Sequence, residues 1–366
     1  MNHTRELLLK LRDVIQNGAL PVENVPLADI RQCVYAELQV NRSTFTERQY
    51  ADVLNRFEIL CTNITEGETD RGKILLLMDA FILCVDMLSQ SVYTLANREY
   101  WNYKHRADKD DPEVAEIIDY IDKRGRIDLI SYDFVEEYQN LPVAVEVDGA
   151  TGMRYVPYKG RKMFFPRTWD ENRIVSYYRS VVMEQDGRSP HCYDKEPYGV
   201  KEGDIVVDAG AAEGIFALDC VDRAAGVYLI EADPEWIEAL EQTFCGDRDK
   251  VRIINGFLDR FHEGSHVSLD GLFESEEIGY IKMDIEGAEK AALEGADKLL
   301  ERCGNIRCAI CSYHCREDED SIRRTLQNHG FTTDTSQGYM CPNWTLEAYL
   351  EAQLRRGIVF GSKVRT

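Results

Sequence analysis

Positive charge is in short supply. The 43 lysines and arginines stand against 65 aspartates and glutamates, a formal net charge of −22 over 366 residues. Phosphate backbones are bound through a basic surface, so the sign argues against a nucleic-acid partner. It argues equally against docking on anionic lipid. A long apolar run is missing too. The most hydrophobic stretch, 74–88, is broken by Asp79 and Asp86 and reads as a buried helix, too short and too polar to span a bilayer. The first twenty residues are charged throughout and lack the apolar centre of a secretory leader. Internal repeats and low-complexity tracts are absent. Eleven cysteines, odd in number and scattered from Cys33 to Cys341, do not make the paired framework of a secreted scaffold. A globular protein of the reducing cytoplasm is expected, and a hydrophobic fraction of 44% supplies its core.

At about 150 residues per domain, the length predicts two or three domains. Residues 1–130 read as helical. Leu7, Leu8, Leu11, Val14 and Ile15 recur at helical spacing before Gly18. A second helix is expected over 43–61, with Thr44 and Glu47 spaced as a capping box, and a third over 70–96. A fourth opens at Asp111-Pro112-Glu113, which orders an N-cap, a first-turn proline and an early acid, and closes near Gly125. Residues 131–198 form a small β-hairpin region and a connecting helix. There PVAVEV, MRYVPY and KMFFP alternate around the turns DGATG and KG. A helix over 171–185 and a loop at Ser189-Pro190-His191 follow. Tyr155, Tyr158, Phe164 and Phe165 either stack on an acceptor or form a small core, the second being favoured. Residues 199–366 alternate strand and helix, with strands expected over 204–208, 226–231, 251–257, 280–284 and 306–313. Two further β-like pieces, 331–340 and 356–362, flank a helix over 345–355. The fold class is therefore α/β, a Rossmann-like seven-stranded sheet preceded by a mainly helical domain and a small antiparallel element.

The sharpest motif is IVVDAGAAEG. A buried strand ends in Asp208, and a turn through Gly210, Ala212, Glu213 and Gly214 opens a helix. Glu231 ends the next strand, where a carboxylate is placed to accept ribose hydroxyls, and Ala232 follows it. A dinucleotide would rest its pyrophosphate on the helix N-terminus, beside Glu213, and like charges would repel. S-adenosylmethionine carries a sulfonium and an ammonium, which Asp208 or Glu213 can hold, so charge selects the methyl donor as cofactor. The turn also admits a plain packing role. Gly256 and Phe257 end the third strand, where a backbone edge and a ring can sandwich an adenine, although a lone phenylalanine is more often core.

Residues 203–331 resemble the FkbM family of S-adenosylmethionine-dependent methyltransferases. The resemblance is carried by VVDAGAAEG, VYLIEADP, VSLDGLF, IKMDIEGAEKAALEGA and the SYH segment. It implies a class I methyltransferase fold with an antiparallel last strand. It further implies O-methylation of a hydroxyl on a sugar or other small-molecule acceptor. Roughly the first 190 residues lie outside it and are left as a lid, an acceptor wall or a homodimer surface.

Methyl transfer to an alcohol needs an aligned nucleophile and a proton acceptor. Reactive groups belong at the carboxyl ends of the fourth and fifth strands, which carry Asp284, Glu286 and Glu289, and Tyr313-His314. His314 is the expected base, since an ordinary histidine titrates near neutrality. Asp284 is expected at the donor or the acceptor. Glu286 is either catalytic or a first-turn acid, and for Glu289 the helix-start role is favoured. No metal is expected, because Tyr313-His314 replaces the acid–amide pair a hard cation would want. Cys308, Cys311 and Cys315 read as core cysteines, their strand spacing pointing the first two to opposite faces. His191 either closes over the donor or caps its loop, the latter favoured. A decayed nucleoside-binding interaction protein and a nicotinamide oxidoreductase remain as alternatives. The second is weakened by the lack of another glycine triplet near Gly210.

Overall fold

The computed structural model describes residues 102–342 and 352–364. The helices expected over 7–18, 43–61 and 70–96 lie outside the described residues, as does most of that expected over 345–355, whose described end is not helical. The chain divides into two compact units, Met1–Leu129 with Cys341–Gln353, and Ile130–Met340 with Leu354–Thr366.

In the first unit, α1 (Pro112–Arg124) is set by its ends. The Asp111 side chain accepts the Glu113 and Val114 N–H groups. Gly125, at φ +64°, donates its N–H to the Ile121 carbonyl and stops the helix. Val114, Ile117 and Ile121 recur on one buried face, each worth about 1.5–3 kcal/mol of burial.

The hairpin region and its connecting helix fall within the second unit. A 3-10 turn runs into α2 (Glu136–Gln139). Then β1 (Glu146–Val147), β2 (Arg154–Tyr158) and β3 (Arg161–Phe164) form an antiparallel sheet. The first hairpin turns where Asp148 accepts the N–H groups of Ala150 and Thr151. Next comes α3 (Glu171–Glu184), capped by Asp170.

The main sheet opens with β4 (Ile205–Ala209), α4 (Ile215–Cys220), β5 (Gly226–Glu231), α5 (Pro234–Thr243) and β6 (Val251–Asn255). A short parallel pair, β7 (Phe257–Leu258) and β8 (His266–Val267), precedes α6 (Leu269–Leu272). It continues with β9 (Tyr280–Met283), α7 (Glu289–Glu294), α8 (Asp297–Arg302), β10 (Asn305–Cys311), α9 (Asp318–Asn328), β11 (Thr332–Thr335) and β12 (Ile358–Val364). The strand order is β11-β12-β10-β9-β4-β5-β6, with β12 antiparallel to both neighbours. This is the seven-stranded arrangement with an antiparallel last strand that the resemblance implied. The third expected strand ends at Asn255, because Phe257 leaves to pair with His266.

Strand order reverses between β4 and β9, so a crevice opens at their carboxyl ends. The hairpins stand outside its lining and pack on the end of α5 and the turns after α4 and α5. Phe164 donates its N–H to Thr243 Oγ1 at 3.0 Å, and Arg161 pairs with Asp222 and Asp247. Phe165, Trp169, Tyr177 and Trp236 pack as one cluster, Trp169 edge to face on both Tyr177 and Trp236 with the two tryptophan centroids 5.0 Å apart, which ties α3 to α5. Tyr155, Phe164 and Phe165 are buried as a small core, while Tyr158 is half-buried and donates its hydroxyl to Asp219.

Candidate functional site

The crevice is a cleft of about 730 Å³, within the range of small-molecule sites. Its floor depends on Gly210. At φ +71° it turns the chain away from β4, and a Cβ there would fall 1.7 Å from the Asp284 carbonyl oxygen. Gly214, at φ +80°, caps α4 against Phe244 and Leu240. Ala212 also takes a left-handed φ of +45°, braced by Glu231, whose Oε2 accepts the Ala212 N–H at 2.8 Å. Glu231 Oε1 accepts the Asp233 N–H at 2.8 Å. Each oxygen keeps a second lone pair for a ligand hydroxyl.

Asp208 is more deeply committed than the sequence suggested. It is 1% exposed, and Lys282 Nζ stands 3.0 Å from its Oδ1. The lysine also donates to the carbonyls of Ala209, at 3.3 Å, and Gly210, at 2.5 Å. Burial pushes the Asp208 carboxyl up, with Lys282 opposing it. Burial works against the ammonium as well, yet Asp208 and Asp284 outweigh it and hold Lys282 above the ordinary lysine value. Lys282 went unnoticed in the sequence. A lysine inside an apolar central strand was the available signal, since such a charge demands a partner.

Eight carboxylate side chains line the cleft: Glu184, Asp208, Glu213, Glu231, Asp233, Asp259, Asp284 and Glu286. Among the described residues, the lining holds one lysine, already paired, and no arginine. Glu213 is buried and accepts the Tyr177 hydroxyl at 2.7 Å, and burial raises its pKa. Ala232, Gly256 and Phe257 lie on the cleft wall with Ala212, and Phe257 is 54% exposed, which is not a core position.

Asp284 stands where β9 ends, between two imidazoles. Its Oδ2 accepts the Tyr193 hydroxyl at 2.6 Å and lies 3.5 Å from His191 Nε2, while its Oδ1 lies 3.4 Å from His314 Nε2. Burial favours its neutral form, but His191, Lys282 and His314 hold the carboxyl well below the usual range. The His314 side chain is 8% exposed and is not among the residues lining the cleft; Tyr313 is. The opposite nitrogen, Nδ1, is 3.2 Å from Glu289 Oε1, and Glu286 approaches Nε2 at 3.7 Å. Burial works against the imidazolium, but Glu289, Asp284 and Glu286 outweigh it and raise its pKa. Glu289 also accepts the Ile285 N–H at 2.9 Å, at the start of α7. Glu286, at φ +58°, projects into solvent at the rim.

These ligand-type atoms form two groups, His191 with Asp284 and Cys311, and Asp284 with Glu289 and His314. Within each group the atoms lie within 4.8 Å of one another, and His314 Nε2 faces both Asp284 and Glu286. Cys308 and Cys311 are buried and Cys315 is exposed, all as free thiols. No described helix is long and apolar enough to cross a membrane.

The donor set fits a cationic nucleoside. Acids surround the turn, an exposed ring stands beside Gly256, and a carboxylate with free lone pairs ends β5. A diphosphate at the same turn would meet Glu213 and Glu231, with no free lysine or arginine among the described lining residues.

Residues 255–333 match the family model described as the methyltransferase FkbM domain. Among solved structures, a methyltransferase FkbM from Methylobacillus flagellatus KT is 16% identical. The match covers 53% of this chain and 55% of that one at a TM-score of 0.35, so the chain spans about half that relative's length. Trm5b from Pyrococcus abyssi is 16% identical over 64% of this chain and 67% of its own, at a TM-score of 0.34. A precorrin-6y C5,15-methyltransferase from Geobacter metallireducens GS-15 is 10% identical, covering 45% and 84%, at a TM-score of 0.33. No curated protein matches significantly.

Proposed function

We propose that the protein is an S-adenosylmethionine-dependent O-methyltransferase acting on a hydroxyl of a sugar or other small-molecule acceptor. The observation that carries this reading is the charge of the cleft, eight carboxylates with their lysine already paired, built on a glycine turn at a topological switch point. The FkbM domain match over 255–333 supports it independently. Glu231 holds the ribose hydroxyls with its remaining lone pairs, and Phe257 and Gly256 hold the adenine. Glu213 and the Asp208–Lys282 pair shape the turn under the amino-acid end. When bound, the cofactor supplies a methyl group on a carbon already activated by sulfonium.

Asp284, at the end of β9, orients the acceptor hydroxyl, and His191 and His314 keep it ionised. His314 thus acts through Asp284 and Glu289, with Glu286 at the entrance. Tyr177 and Trp236 line the opposite wall and offer ring faces to an acceptor.

Calorimetry with S-adenosylhomocysteine and with NAD tests the cofactor class. Binding of the first and not of the second is expected, and the reverse would overturn the reading. A labelled methyl donor offered with hydroxylated sugars and phenols tests the acceptor class. Transfer to nitrogen or carbon acceptors alone would refute O-methylation.

A further inference from the structure

One acid in the cleft stands among like charges, with a single imidazole beside it. Glu184 is the last residue of α3, and a helix C-terminus repels a negative charge. It lines the cleft. Around it lie Tyr177 from its own helix, Glu213 from the turn after β4, Asp284 and Glu286 from the turn after β9, Tyr313 after β10, and His191 from the loop after α3. His191 is 3% exposed, and its Nδ1, buried without a hydrogen bond, faces Glu184 Oε2 at 3.8 Å. Its Nε2 faces Asp284 at 3.5 Å. The acids and imidazoles therefore run in one line, Glu184, His191, Asp284, His314, Glu289.

We propose that Glu184 is the proton acceptor for the incoming hydroxyl, partly protonated in the donor-free protein at neutral pH and held as a carboxylate when a sulfonium enters the cleft, with His191 as its positioning residue. The inference rests on the methyl-donor reading above. Burial, aided by Asp284, Glu213 and Glu286 and opposed by His191, pushes the Glu184 carboxyl up to about 7. A cation in the cleft lowers it again. A base is most effective with a pKa near the working pH. The other groups serve less well. Asp284 is held strongly ionised and is a weak base, Tyr193 already donates to Asp284, and neither histidine lines the cleft. In the step itself the acceptor O–H bond breaks and its proton passes to Glu184. The oxygen takes the methyl carbon as the sulfur–carbon bond breaks, leaving a neutral thioether, a methyl ether and a neutral carboxylic acid.

The test counts protons. S-adenosylmethionine and S-adenosylhomocysteine are titrated into the protein at about pH 7, each in phosphate and in Tris, buffers of different ionisation enthalpy. The sulfonium ligand is expected to release about half a proton more than the thioether. In Glu184→Gln the two ligands are expected to give equal counts. Infrared difference spectra of the wild-type chain supply a second measurement, a protonated-carboxyl band lost on adding S-adenosylmethionine and kept on adding S-adenosylhomocysteine. Equal counts in the wild type, a difference that survives in Glu184→Gln, or a band unaffected by the sulfonium overturns this inference and leaves the cofactor reading standing. Failure of both ligands to bind overturns both.

Discussion

Asp208 on β4 and Lys282 on β9 are register partners on adjacent parallel strands and form a buried ion pair of 3.0 Å beneath the cleft. The lysine's remaining hydrogen bonds go to the Ala209 and Gly210 carbonyls, so the pair fastens the glycine turn to the central strand. A lone charge at this depth would be strongly unfavourable, whereas the matched pair is tolerated.

Lys282→Met removes the counter-charge and leaves Asp208 stranded. It should lower unfolding free energy by about 3–5 kcal/mol in urea titration, and adding Asp208→Asn should restore more than half of the loss. A single-variant loss below about 1 kcal/mol would show that the pair is effectively hydrated.

Gly210→Ala places a Cβ against the Asp284 carbonyl in a left-handed conformation. The β4 and β9 ends must separate, so S-adenosylhomocysteine binding should be lost and stability should fall by more than about 1–3 kcal/mol. Thermal unfolding and calorimetry read both effects. Unchanged binding would mean that the turn does not shape the site.

Glu231→Gln exchanges one acceptor oxygen for an amide nitrogen, which cannot accept, so one of the Ala212 and Asp233 N–H groups loses its partner. Losing a charged hydrogen bond of about 1.5–3 kcal/mol should weaken S-adenosylhomocysteine roughly tenfold to a hundredfold. An unaltered Kd would remove Glu231 from the ribose site.

Phe257→Ala removes a ring that is already half exposed. Stability should change by no more than about 0.5 kcal/mol, while stacking of about 1–3 kcal/mol on the adenine is lost from binding. Equal affinity of variant and wild type in calorimetry would place the adenine elsewhere.

His314 links stability to pH. Its folded pKa is raised above the unfolded value, which is about 6.5. Its contribution is therefore complete below about pH 6.5 and fades as pH rises through the folded value. Urea titrations of wild type and His314→Gln should show the wild-type advantage largest at about pH 6 and diminishing toward alkaline pH. A constant or growing advantage would contradict the imidazolium between Asp284 and Glu289.

Local and periodic signals carried much of the fold. Asp111, Pro112 and Gly125 bracket α1 as expected, because caps act through backbone groups a few residues away. The apolar runs ending in Asp208, Glu231 and Asp284 become β4, β5 and the edge of β9's turn, since strands buried on both faces must be apolar throughout. Gly210 and Gly214 do adopt conformations that glycine alone takes freely.

The acid Glu213 beside the Gly210 turn was likewise legible in the sequence, where it favoured a sulfonium over a diphosphate. What each acid does was decided by tertiary structure. Asp208 is neutralised by a lysine 74 residues away because β9 lies beside β4. His314 turns inward between Asp284 and Glu289, Glu184 reaches the cleft from the helix before the sheet, and His191 stands behind Glu184 from the loop that follows. Charge interactions fall off with distance in space, not along the chain, so composition sets the sign of the site and only the packing of distant segments assigns its proton.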